Sequence, residues 1–133
     1  MAKIFKAGVV GMGGIGNTHA NCIKNDPLAE LVAVCDVRRE RADDAAAKFG
    51  VPAYYSLKDM LTAHPEIEVV HVTTSGFENG SWHYDPTIEA LDMGRHVLVE
   101  KPISNSIEEA RDMVAFARSK GLYLGCDLNH YFS

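Results

Sequence analysis

No apolar run in this chain approaches the roughly 20 residues that cross a bilayer, so no membrane-spanning helix and no membrane partner are expected. There are only three cysteines, Cys22, Cys35 and Cys126, and no C-x-x-C pair. That spacing excludes a dithiol redox motif or a thiolate metal site. All three lie in apolar segments and read as small core residues in a reducing compartment. Positive charge is in deficit, with 13 Lys and Arg against 18 Asp and Glu and a net charge of −5. Such a surface has no basic excess to neutralise phosphates, so nucleic acid is not the expected partner. No His, Cys, Asp or Glu cluster has metal-ligand spacing, and no metal is expected. Repeats, low-complexity tracts and Gly/Ser-rich linkers are missing as well. The start, Met1-Ala2-Lys3-Ile4-Phe5-Lys6, runs straight into an apolar stretch without a signal-peptide pattern, so a cytoplasmic location is expected.

What is present is an ordinary globular composition over 133 residues, 47% hydrophobic and 23% charged, enough for one domain with a core. Strand-like and helix-like stretches alternate, the pattern of βαβ units and a parallel sheet. The apolar runs predict strands at 4–10, 31–35, 51–55 (short), 69–73, 96–99 and 122–126. Helices are predicted over 14–24, over 39–49 with Gly50 as its cap, after Ser56, from Asp85-Pro86 to Gly94, and from Ser106 to Lys120. Ile15, Cys22 and Ile23 are expected on the apolar face of the first helix, and Ala110, Val114 and Ala117 on that of the last. Ser106 and Glu109 have capping-box spacing. Right-handed crossovers favour the strand order 3-2-1-4-5-6, a doubly wound α/β unit.

The stretch after the first strand carries the chemistry. Gly11, Gly13 and Gly16 have G-x-G-x-x-G spacing between a strand and a helix, the context that a dinucleotide fingerprint requires. Gly11 permits the tight turn, Gly13 leaves room for a pyrophosphate, and Gly16 lets helix and strand approach closely. The phosphates would sit at the helix N-terminus, where free N–H groups favour negative charge. Asp36, twenty residues beyond Gly16, is placed to meet a ribose hydroxyl, although an Asp there also suits a helix cap. Ligands of such sheets bind beyond the carboxyl ends of the strands. There the glycine turn, the loop from Thr73 to Ser81 and Glu100-Lys101-Pro102 converge.

Gly11-x-Gly13-x-x-Gly16-x-x-His19, Cys35-Asp36 and Gly94-Arg95-His96-Val97-Leu98-Val99-Glu100-Lys101-Pro102 together resemble the N-terminal half of the Gfo/Idh/MocA oxidoreductases, over essentially the whole chain. The resemblance implies a Rossmann domain at residues 1–127, with 128–133 starting the crossing into a second, substrate domain that is not part of this sequence. It implies hydride transfer between NAD or NADP and a carbinol carbon, commonly of a sugar or cyclitol. Gly11, Gly13, Gly14, Ile15 and Gly16 would cradle the pyrophosphate and Asp36 the adenosine ribose. Thr73, Thr74 and Ser75 would line the cofactor's path. Glu100 and Lys101 would lie near the nicotinamide, with Lys101 meeting the substrate as acid, base or hydrogen-bond donor. Pro102 would follow a cis peptide bond. The threonine-proline-asparagine turn common in the family is replaced here by Thr73-Thr74-Ser75-Gly76, read as a small insertion.

Asp36 repels a 2′-phosphate and favours NAD, while Arg38 and Arg39 beside it leave NADP open. Lys101 either faces the substrate or pairs with Glu100. His83 reads as a packing or substrate-edge residue, and His19 as a helix-packing one. The fragment alone is expected to bind cofactor without turnover, and exposed surface near the sixth strand could drive homo-oligomer formation. The alternative is a stand-alone nucleotide-sensing or interaction module, and more remotely a flavin binder on the same fold.

Overall fold

The computed structural model describes residues 3–74, 83–104 and 106–127. In chain order these form β1 (Phe5–Val10), α1 (Gly14–Lys24), β2 (Ala29–Cys35), α2 (Arg39–Phe49), β3 (Ala53–Tyr54), α3 (Leu57–Ala63), β4 (Val69–Val72), α4 (Tyr84–Asp92), β5 (His96–Glu100), α5 (Ile107–Lys120) and β6 (Leu124–Asp127). The strands make one parallel sheet in the expected order, β3-β2-β1-β4-β5-β6. β1 and β4 are neighbours at its centre, so the order reverses between them, the point at which sheets of this kind bind their ligands.

Two apolar layers hold the sheet. On one side Ala20 and Ile23 of α1 and Ala45 and Phe49 of α2 pack on Val9, Leu31 and Val34. On the other, α3, α4 and α5 bring Met60, Leu61, Leu91 and Ala117 against Val70, Val72, Val97 and Val99. Continuous apolar strands such as Leu31–Cys35 are buried on both faces, as a parallel sheet demands.

The caps follow the side chains. Ser56 accepts the N–H of Asp59 at 3.1 Å, and Gly50 closes α2 in the left-handed region at φ 69°. Ser106 accepts the N–H of Glu109, but Glu109 turns to the hydroxyl of Ser104 at 2.8 Å. Ser104 in turn accepts the Ser106 N–H, so the expected two-residue box is a three-residue one.

Several expectations require correction. The buried stripe of α1 is Gly16, His19, Ala20 and Ile23, whereas Ile15 is 50% exposed and Cys22 is exposed. Each of the two lies one residue, about 100° of helix, off that stripe. Cys22 is therefore not a core residue. Cys35 is, and burial pushes its thiol up, so it stays protonated, while Cys126 is half-buried. In α5 the buried residues are Met113 and Ala117, and Val114 is 41% exposed for the same reason. β2 starts at Ala29. β6 starts only at Leu124, because the Leu122 N–H is still bonded to Ala117 O at the end of α5. No described helix is long and apolar enough to cross a membrane.

Candidate functional site

The site is built at the carboxyl ends of β1, β2, β4 and β5. Gly11 leaves β1 at φ +96°, a region that side chains rarely adopt, and a Cβ there would lie 2.6 Å from the Thr74 nitrogen. A Cβ on Gly16 would collide with the Gly11 carbonyl oxygen, so α1 starts as close to the turn as a backbone can. Thr73 fastens the turn from β4. Its hydroxyl donates to the carbonyls of Gly11 at 2.8 Å and Val10 at 3.0 Å, and the residue is 5% exposed. Gly13 and Gly14 differ from their neighbours. Nothing lies within 4 Å of a Cβ on Gly14, and only Arg41 Nη1, at 3.9 Å, meets one on Gly13. Bare backbone at the start of α1 thus faces open space, at a helix end whose first N–H groups have no partner within the helix.

Asp36 closes this turn from β2. It is 5% exposed; Oδ2 accepts the Met12 N–H at 2.7 Å and Oδ1 the Arg38 N–H at 2.8 Å. It does not cap α2, whose N-cap is Arg38, with no side-chain bond. Of the neighbouring arginines, Arg38 is exposed, and Arg39 stacks over the Tyr55 ring at 4.1 Å, beside the Tyr55–Asp43 hydrogen bond. Arg41, which the sequence reading passed over, brings a guanidinium to the glycine turn, its Nη1 3.9 Å from a Cβ on Gly13. It sits in the first turn of α2, five residues beyond Asp36. A recess of about 280 Å³ opens beside Cys35 and Val37, the chain neighbours of Asp36, and is lined further by Val10, Ser56, Leu57, Asp85, Pro86 and Glu89.

At the end of β5, the Lys101–Pro102 peptide is cis, and Lys101 is exposed. Glu100 turns inward: its Oε2 lies 2.8 Å from His19 Nε2, and His19 Nδ1 lies 3.0 Å from His71 Nδ1 on β4. This chain of polar side chains crosses three elements, and the reading of His19 as a packing residue missed it. His83, 3% exposed, ties two loops together. Its Nδ1 is 2.7 Å from the Pro102 carbonyl and its Nε2 is 3.1 Å from that of Thr74. It is an internal strut, so a substrate-edge role does not fit its burial. Ser75 lies outside the described residues, as do the rest of the 75–82 loop and residues 128–133. Among the described residues no trio of His, Cys, Asp or Glu is arranged to hold a metal ion.

A family model, described as "Oxidoreductase family, NAD-binding Rossmann fold", matches residues 5–128. D-glucoside 3-dehydrogenase of Escherichia coli (strain K12) is 34% identical over 132 residues, covering 97% of this chain and 36% of that protein. The WlbA dehydrogenase of Bordetella pertussis, solved with NADH and UDP-GlcNAcA, superimposes with a TM-score of 0.84 at 31% identity, over 94% of this chain and 38% of that one. KijD10, a 3-ketoreductase from Actinomadura kijaniata solved with NADP, gives a TM-score of 0.82 at 26% identity, over 93% and 38%. The chain spans little more than a third of the length of these relatives.

Proposed function

Since this chain belongs to the Gfo/Idh/MocA oxidoreductase family as an NAD-binding Rossmann domain, we propose that it is the cofactor half of an enzyme moving a hydride between nicotinamide and a carbinol carbon of a sugar or cyclitol-like substrate. The observation that carries this reading is the uncovered backbone at Gly13 and Gly14, a cradle that any Cβ on Gly13 would start to fill.

The residues fit the group they would hold. Gly11, Gly13, Gly14, Ile15 and Gly16 would receive the pyrophosphate at the N-terminus of α1, where the helix dipole favours anions. Each Asp36 oxygen already accepts one N–H and keeps a lone pair for a ribose hydroxyl. The recess beside Cys35 and Val37 would take the adenine. Thr73, Thr74 and Ser75 would line the cofactor's path past the end of β4, and Glu100 and Lys101 would stand at the nicotinamide end. The bound dinucleotide supplies the hydride acceptor or donor. Lys101 would hold the proton at Nζ, giving it to or taking it from the carbinol oxygen. The buried carboxylate of Asp36 would oppose a 2′-phosphate and favour NAD over NADP, and Arg38 would moderate that preference.

Turnover requires substrate and nicotinamide to be held in register, which supplies about 7–11 kcal/mol of barrier lowering in well-oriented systems. The groups that hold the substrate are assigned to a further domain, so the 133-residue chain should bind cofactor and turn over little. Titration with NADH and NADPH, paired with dehydrogenase assays on sugars and cyclitols, tests both halves. Tighter binding of NADH without turnover is expected. Robust turnover would overturn the divided site, and no binding of either nucleotide would overturn the whole reading.

A further inference from the structure

Lys101 follows a carboxylate directly in sequence, and an ammonium beside a free carboxylate is held in its charged form. The structure gives Glu100 a different partner. Its side chain, 13% exposed, faces α1, where His19, 7% exposed, meets it at 2.8 Å. An ionised carboxylate can only accept, so His19 donates from Nε2. A neutral His19 then accepts at Nδ1 from the Nδ1–H of His71, 3.0 Å away. The two rings meet edge to face, 5.2 Å apart, which holds both nitrogens on line. With His19 neutral, the proton order runs from His71 on β4 through His19 on α1 to Glu100 on β5. Lys101 stays exposed and, among the described residues, has no carboxylate within ion-pair distance.

We infer that His19 is a positioning residue for Lys101: by holding the Glu100 carboxylate against α1, it keeps that carboxylate off the Lys101 ammonium at the carboxyl end of β5 and leaves the ammonium available to a substrate oxygen. The functional meaning rests on the reading of Lys101 as the substrate-facing group, but the test does not. Glu100 and Lys101 are chain neighbours, so the Lys101 ammonium is a cation toward which a carboxylate released from His19 can turn.

The 133-residue chain is treated with an amine-acylating reagent, which consumes only neutral amines, and modification of Lys101 is followed by mass spectrometry. His19→Leu removes the donor, and Lys101 should then react about two- to fivefold more slowly, the size expected when a carboxylate pairs with an exposed cation. His19→Gln keeps an N–H donor and should react like the parent chain. In His19→Leu/Glu100→Gln no carboxylate remains to pair, and the parent rate should return. An unchanged rate in His19→Leu, or slowing that persists in the double variant, overturns the inference. Glu100→Gln alone covers the case in which His19→Leu does not fold. It should leave the Lys101 rate unchanged, and an increase of about two- to fivefold would mean that Glu100 already pairs with Lys101 in the parent, which also overturns it. NADH affinity, measured on the same samples, reports separately on the cofactor reading.

Discussion

Asp36 Oδ2 lies 2.7 Å from the backbone nitrogen of Met12, so the acid at the end of β2 holds the glycine turn after β1 in shape. The other oxygen holds the Arg38 N–H at 2.8 Å. One carboxylate thus fastens two loops and still offers a lone pair from each oxygen to a ligand. Asp36→Asn keeps one acceptor and turns an amide N–H toward a backbone N–H. A loss of about 1–3 kcal/mol is expected, measured by urea unfolding. Removal of the charge should also raise NADPH affinity relative to NADH, read by titrating the variant with both.

The glycines of the turn should separate into two kinds. Gly16→Ala drives a Cβ into the Gly11 carbonyl, and α1 must move to admit it, so the midpoint of unfolding should fall sharply. Gly14→Ala meets nothing within 4 Å and lies in the first turn of α1, where alanine is the better helix former. It should stabilise the fold by up to about 1 kcal/mol. Thermal unfolding of the two variants tests the contrast, and equal effects would contradict the packing described.

Desolvation raises the pKa of Glu89, at the edge of the recess beside Asp36; Lys58 opposes the rise and Asp85 adds to it. A carboxyl raised above its unfolded value favours the folded state most when protonated. Its contribution is full below the ordinary glutamate range and is lost as pH climbs through the raised value. Glu89→Gln should therefore melt higher than the parent at neutral pH, with the gain vanishing at about pH 4 and below. A gain independent of pH would contradict the assignment.

Arg95 sits at the start of β5, at the far end of the sheet from the glycine turn. Its guanidinium donates to the carbonyls of Leu61, His64, Ile67 and Met93 at 2.8–3.1 Å. A lysine cannot reproduce that fork. Arg95→Lys should cost about 2 kcal/mol or more in urea unfolding and leave NADH affinity unchanged.

Much of this architecture was legible in the residues. Apolar runs punctuated by Gly50, Asp85-Pro86, Gly94 and Gly121 marked the elements, and the glycine spacing with Asp36 marked the central site. Helix faces were harder. Ile15 and Val114 are apolar yet point outward, because small residues such as Gly16 and Ala117 let a helix lie close to the sheet and take the inner position. Polar partners far apart in sequence were invisible. His19 and Glu100 are 81 residues apart, and only the sheet order brings α1 and β5 together. The Gly94-Arg95-His96 block identified the family, but its arginine is a strut and touches nothing in the site.

The central claim is that bare backbone at Gly13 receives the phosphates of a nicotinamide dinucleotide. Gly13 has φ −79° and ψ −159°, extended backbone open to any residue, and a Cβ there meets only Arg41 Nη1 at 3.9 Å. Gly13→Val should therefore fold as the parent does. Calorimetric titration of both chains with NADH is the direct test. Saturable binding by the parent, weakened by at least about tenfold, or ~1.4 kcal/mol, in a Gly13→Val chain of unchanged melting temperature is the predicted result. Equal affinity in the two chains would contradict it.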